Sequence, residues 1–133
     1  MVKKRHFNIL VTGGSGFLGS HVSDALSEEG HMVSVLDIRK SSFLRSDQKM
    51  IIADIMDQDA INKALHNIDI VFHFAALADI DLAYDKPLST MTINVLGTTH
   101  ILEAARLNKV KKVVFGSTVY VNSRTGSFYR VSK

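Results

Sequence analysis

The segment SFYRVSK places Tyr129 and Lys133 four residues apart, so on a helix the two side chains share a face. A phenol ionises near about 10 in water, too high for a base at neutral pH, and a neighbouring ammonium stabilises the phenolate and lowers that value. Such a pair can therefore take a proton from a hydroxyl. By itself the spacing is an ordinary feature of a helix surface, and it acquires chemical meaning only from what the rest of the chain sets beside it.

The second group with chemical potential is the run ILVTGGSGFLGSHV, in which Gly13, Gly16 and Gly19 form G-x-x-G-x-x-G after an apolar stretch and before a helical pattern. A pyrophosphate needs backbone N–H groups at a helix N-terminus and no side chains in the way. The last glycine lets the helix lie close to the sheet. Asp37 follows Gly19 by eighteen residues, at the end of the next apolar run, where a carboxylate takes the two hydroxyls of an adenosine ribose and repels a 2′-phosphate. That favours NAD over NADP, with Arg39 and Lys40 nearby keeping NADP open.

Five strands are predicted, at Asn8 to Thr12, Met32 to Asp37, Lys49 to Ala53, Ile70 to Phe74 and Lys112 to Gly116. Their nearly continuous hydrophobicity suits strands covered on both faces. Helices are expected from Gly16 to Glu29, stopped by Gly30, and from Gln58 to His66 with Asp57 as N-cap. A long helix follows Pro87, with Met91, Val95, Ile101, Leu102 and Ala105 at helical spacing before Asn108 ends it. Strands alternating with helices predict an α/β class protein with a doubly wound, parallel, Rossmann-like sheet.

These segments together resemble the extended short-chain dehydrogenases/reductases, the NAD-dependent epimerase/dehydratase family. TGGSGFLG is similar to that family's glycine signature, which places Phe17 and Leu18 with the three glycines at the cofactor. ADIMD resembles the segment whose first Asp, here Asp54, bonds the adenine, with Ile55 beside the ring. VFHFAAL resembles the fourth strand and the loop, with Phe74, Ala75 and Ala76, that passes the cofactor's phosphates and nicotinamide ribose. NVLGTTHILEAA looks like the family's long helix, and implies for Asn94 a structural or proton-relay role at the cofactor side.

The resemblance implies that Tyr129 is the base, that Lys133 also holds the nicotinamide ribose, and that a Ser/Thr hydroxyl comes from VFGSTVY. Thr118 is expected to be that group, with Ser117 second. The segment departs from the family pattern by lacking two residues before Val119-Tyr120, and the stretch from Val119 to Phe128 is about half the usual length. The implied activity is transient hydride transfer on a nucleotide-activated sugar, with a homodimer formed through the long helix and the Tyr-Lys helix. Two alternatives stand beside it: a non-catalytic NAD(P)-binding module, and an NADPH-dependent carbonyl reductase of the same superfamily.

Other readings bound the answer. The 133 residues are 46% hydrophobic and 22% charged, which suits one domain with a modest core. The resemblance implies that residues 1–133 form an incomplete cofactor-binding domain whose C-terminal substrate domain is absent. Charge is +3, from 16 basic and 13 acidic residues, and its dispersal argues against nucleic acid. No apolar run could span a bilayer, and the absence of cysteine fits a reducing compartment, so the cytoplasm is the expected location. The six histidines show no metal-ligand spacing, so no metal is expected, and His73 between two phenylalanines is expected to be a hydrogen-bonded core residue.

Overall fold

The computed structural model describes residues 5–133; within the basic N-terminal stretch, Met1 to Lys4 lie outside the described residues. Five parallel strands form one sheet in the order β3-β2-β1-β4-β5, with β1 Asn8–Thr12, β2 Met32–Asp37, β3 Lys49–Ile52, β4 Ile70–His73 and β5 Lys112–Phe115. The first two strands match the sequence expectation residue for residue, and the other three end one residue earlier. β1 is central, and from Ile9 onward it is buried: Ile9, Leu10, Val11 and Thr12 are all shielded from water. It pairs Thr12 with Leu36 on one side and with His73 on the other, so the strand ends line up at one edge. The order reverses between β1 and β4, and such a switch point opens a crevice beyond the carboxyl ends of the strands.

Alternate residues of the strands feed two cores. Leu10, Leu36 and Val71 pack on one face with Ile61 of α2 (Gln58–Ala64), with Leu65 just after it, and with Ile101, Ala104 and Ala105 further along the chain. Ile9, Val11, Val33 and Val35 face the other way, with Leu26 against them. Asp57 caps α2 as expected, its side chain accepting a hydrogen bond from the Ala60 N–H at 3.0 Å.

Helix α1 (Phe17–Glu28) follows the glycine turn and buries only small residues, Gly19, Ser20, Ser23 and Ser27. Spacings of three and four put them on one stripe, and that stripe lets the helix approach β1 and β2 closely. The buried hydroxyls are satisfied within the helix: Ser23 donates to the Gly19 carbonyl at 2.8 Å and Ser27 to that of Ser23 at 2.9 Å. Gly30, at φ +85°, closes the helix as expected.

The long helix after Pro87 is built differently from the sequence expectation. Two short helices, α3 (Ile80–Asp85) and α4 (Pro87–Met91), lead into a π-helical turn at Thr92–Gly97 and then into α5 (Thr98–Leu107). The π turn inserts a residue into the helical register and rotates the faces on either side of it. Asn94 and Gly97 thereby turn inward, while Val95 and Leu102, expected on the apolar face, are exposed. The terminal helix α6 (Ser127–Val131) is far too short to persist alone, but it packs on α3 and α4.

Candidate functional site

A cleft of about 520 Å³ opens at the switch point, lined by the glycine turn, the ends of β2 and β3, the loop after β4, and residues 116, 117, 129 and 133. Three glycines of the turn, Gly13, Gly16 and Gly19, line it. Gly13 adopts φ +68°, and a Cβ there would stand 2.6 Å from the Ala75 nitrogen. The helix that follows starts at Gly16 without any side-chain cap, so its first N–H groups are left for a ligand. An anion is stabilised there by the free N–H groups and the helix dipole together.

Asp37 closes one end of the cleft. Its Oδ2 accepts from the Ser15 N–H at 3.1 Å and its Oδ1 from the Arg39 N–H at 3.2 Å. A carboxylate has about four acceptor positions, so lone pairs remain for ribose hydroxyls. Asp54 and Ile55 flank the same end, Asp54 accepting from the Met56 N–H at 2.9 Å and exposing its carboxylate, Ile55 buried. Glycines that leave the backbone open, free helix N–H groups, an oriented carboxylate and an apolar wall fit a dinucleotide.

Of the residues read from sequence as cofactor contacts, Gly13, Gly16, Phe17, Leu18, Gly19, Asp37, Asp54, Ile55, Phe74, Ala75, Ala76, Tyr129 and Lys133 all line the cleft. Asn94 does not. It lies buried behind the wall, where its amide accepts from the Leu77 N–H at 2.7 Å and donates to the Leu77 carbonyl at 3.0 Å. The same amide donates to Ser132 Oγ at 2.8 Å, and Ser132 in turn donates to the Tyr129 carbonyl at 2.9 Å. One side chain thus joins the loop after β4 to the helix that carries Tyr129 and Lys133. Sequence reasoning missed Ser132, whose only signal is its place between the two.

Asn94 and Ser132 are both buried, so removing the amide leaves the Leu77 backbone groups and the Ser132 hydroxyl short of a partner. Asn94→Ala is expected to lower unfolding free energy by about 2 kcal/mol, read by urea denaturation. A loss below a few tenths would show that water replaces the amide without penalty.

The hydroxyl segment also departs from expectation. Ser117 lines the cleft, whereas Thr118 does not. Thr118 instead caps a 3₁₀ turn at Val119–Asn122, its Oγ1 accepting from the Tyr120 N–H at 3.4 Å. The connection after β5 passes directly into that turn, and Thr118 belongs to the turn and not to the cleft.

The charge at the other end is shaped by burial. Lys133 places its Nζ 4.6 Å from the centre of the Phe115 ring, and burial lowers its pKa from the ordinary lysine value. His73 sits below it, buried, with its pKa lowered to about 4, first by burial and then by the charge of Lys133. Its Nδ1 is 2.6 Å from Thr12 Oγ1 and its Nε2 2.9 Å from Thr98 Oγ1. Thr12 Oγ1 also accepts the Ala75 N–H at 3.3 Å, so the same hydroxyl ties the ring to the loop after β4. The histidine is therefore the packed core residue expected, and it holds β1, the loop after β4 and α5 together. No group of metal-ligating side chains occurs among the described residues, and none of their helices is long and apolar enough to cross a membrane.

Proteins of similar sequence and fold are known. The chain is 36% identical over 123 residues to the UDP-N-acetyl-alpha-D-glucosaminuronate decarboxylase of Bacillus cytotoxicus, an alignment covering 88% of this chain and 37% of that protein. It is 39% identical to the UDP-glucose 4-epimerase of Mycolicibacterium smegmatis, over 84% of this chain and 39% of the relative. Among solved structures, the UDP-glucose 4-epimerase of Thermus thermophilus in complex with NAD superposes with a TM-score of 0.85 at 31% identity, covering 95% of this chain and 47% of the other. The chain thus spans under half the length of these relatives. The family model for the NAD dependent epimerase/dehydratase family matches residues 9–128, nearly the whole chain, and the chain belongs to that family.

Proposed function

We propose that this chain is the cofactor-binding part of an NAD-dependent oxidoreductase that acts on a nucleotide-activated sugar, in the manner of an epimerase or dehydratase. The observation that carries the reading is the single cleft in which the bare glycine turn, Asp37, Tyr129 and Lys133 meet. NAD, when bound, supplies a reversible acceptor for the hydride of a sugar carbon.

The chain's own groups do the rest. Gly13, Gly16 and the first turn of α1 hold the pyrophosphate, Asp37 the adenosine ribose, and Asp54 and Ile55 the adenine. Phe74, Ala75 and Ala76 run along the phosphates and the second ribose. Tyr129 removes the proton from the substrate hydroxyl, and Lys133 stabilises the phenolate and bonds that ribose. Ser117, which faces the cleft, is assigned the hydroxyl that steadies the reacting oxygen, in place of Thr118. Asn94 is assigned a positioning role, acting through Leu77 and Ser132.

The relatives named for UDP-sugars support a nucleotide-sugar substrate. We further assign a homodimer interface to the long helix and the helix of Tyr129, which expose Leu96 and Val131.

Calorimetric titration of the 133-residue chain with NAD tests the reading first. Saturable binding of one NAD, tighter than NADP, is the expected result, and absence of binding overturns it. The protein encoded by the whole reading frame is then assayed against a panel of UDP-sugars, where NAD binding without turnover would favour a non-catalytic module.

A further inference from the structure

The residue between Gly14 and Gly16 does not line the cleft, yet it makes two of the bonds that shape the cleft's adenosine end. Ser15 donates its hydroxyl to the Arg39 carbonyl at 2.7 Å, and its N–H to Asp37 Oδ2 at 3.1 Å. The Arg39 N–H closes the ring on Asp37 Oδ1 at 3.2 Å, and the Gly14 N–H reaches the Leu36 carbonyl at 3.3 Å. The glycine turn is thereby stitched to the end of β2 across more than twenty residues of sequence. Only one of these stitches uses a side chain other than that of Asp37, and it is the Ser15 hydroxyl.

What it holds is a pair of opposed charges. Asp37 and Arg39 both line the cleft, Arg39 is exposed, and no ion pair to it occurs among the described residues. A ribose carrying free hydroxyls is bonded by the carboxylate. A ribose 2′-phosphate is repelled by the carboxylate and attracted by a guanidinium, which pairs with phosphate oxygens in a fork. Which sugar is preferred therefore depends on where residues 37 to 39 are held.

We propose that Ser15 is a positioning residue that sets the discrimination between NAD and NADP, by tying the backbone at Arg39 so that Asp37 stays forward and the guanidinium stays back. This rests on the dinucleotide reading given above. Loss of the hydroxyl frees the Arg39 carbonyl, slackens the Arg39 N–H bond to Asp37, and lets the guanidinium move toward the position of a 2′-phosphate.

The test is calorimetric titration of the chain, and of folded variants checked by circular dichroism, with NAD and with NADP. Ser15→Ala is expected to raise Kd for NAD by roughly three- to tenfold, the effect of one hydrogen bond, and to lower the ratio of Kd for NADP to Kd for NAD by at least threefold. Ser15→Thr, which keeps a hydroxyl, restores the ratio. Adding Arg39→Ala to Ser15→Ala removes the gain toward NADP, because the backbone carbonyl remains while the guanidinium does not.

An unchanged ratio in Ser15→Ala, whether both affinities fall together or neither moves, overturns the role of Ser15 and leaves NAD binding standing. A ratio that Ser15→Thr fails to restore, or a gain toward NADP that survives the loss of Arg39, overturns it as well. A wild-type chain that binds neither dinucleotide overturns the parent reading, and this one with it.

Discussion

Gly19→Ala is expected to weaken NAD binding by at least about a hundredfold and to destabilise the fold by about 2 kcal/mol. The sign is the informative part. In an exposed helix interior, replacing glycine by alanine stabilises by about 1 kcal/mol, because the unfolded chain loses freedom and the helix gains propensity. Here the added Cβ would overlap the Gly13 carbonyl oxygen and stand 2.7 Å from the Gly14 Cα, both backbone atoms with no rotamer to yield. Helix α1 must then move away from the turn, which costs the close packing of Ser20 and Ser23 and shifts the first-turn N–H groups out of reach of a phosphate. Urea denaturation and calorimetric titration read the two effects separately. A variant more stable than the parent that still binds NAD as tightly would show that the helix does not depend on this approach.

Acid sensitivity is the second large effect, and it centres on His73. A histidine whose folded pKa lies at about 4, against about 6.5 when unfolded, binds fewer protons in the folded state between those values. Stability from this group is thus fully present above pH 6.5. It falls as the pH drops and levels off near 4, by then about 3 kcal/mol lower. The chemistry matches the sign: burial and the charge of Lys133 both oppose a second proton on the ring. Urea unfolding at pH 7 and pH 4.5 is expected to show the loss, and His73→Gln should flatten most of it. An NMR titration of the His73 ring with a midpoint near 6.5 would sink the prediction.

Much of the cleft was legible from the amino-acid sequence because its parts are local. Gly13, Gly16 and Gly19 act through a turn a few residues long, and the helix that follows opens at Phe17, next to where it was expected. Asp37 is placed by the length of one strand, and strands buried on both faces announce themselves by unbroken runs such as Ile9 to Val11. Asp57 caps its helix through a bond spanning three residues. In each case the groups that interact are near one another in the chain, so spacing alone predicts the contact.

The remaining features depend on groups far apart in sequence. Nothing near Asn94 indicates that its partners are Leu77 and Ser132, 17 and 38 residues away, because a π turn had to rotate it inward and α6 had to dock before the amide could bridge them. The same turn exposes Val95 and Leu102, which a regular 3.6-residue period would have buried. Thr118 and Ser117 are adjacent and chemically alike, and the 3₁₀ turn after β5 leaves Ser117 lining the cleft and Thr118 outside it. His73 with Thr12 and Thr98, and Ser15 with Arg39, are likewise pairings between separate elements. Local patterning determines which elements form and which residues stand at their ends, while the direction of a buried polar group is chosen by whichever distant partner the packed sheet and helices bring within hydrogen-bond reach.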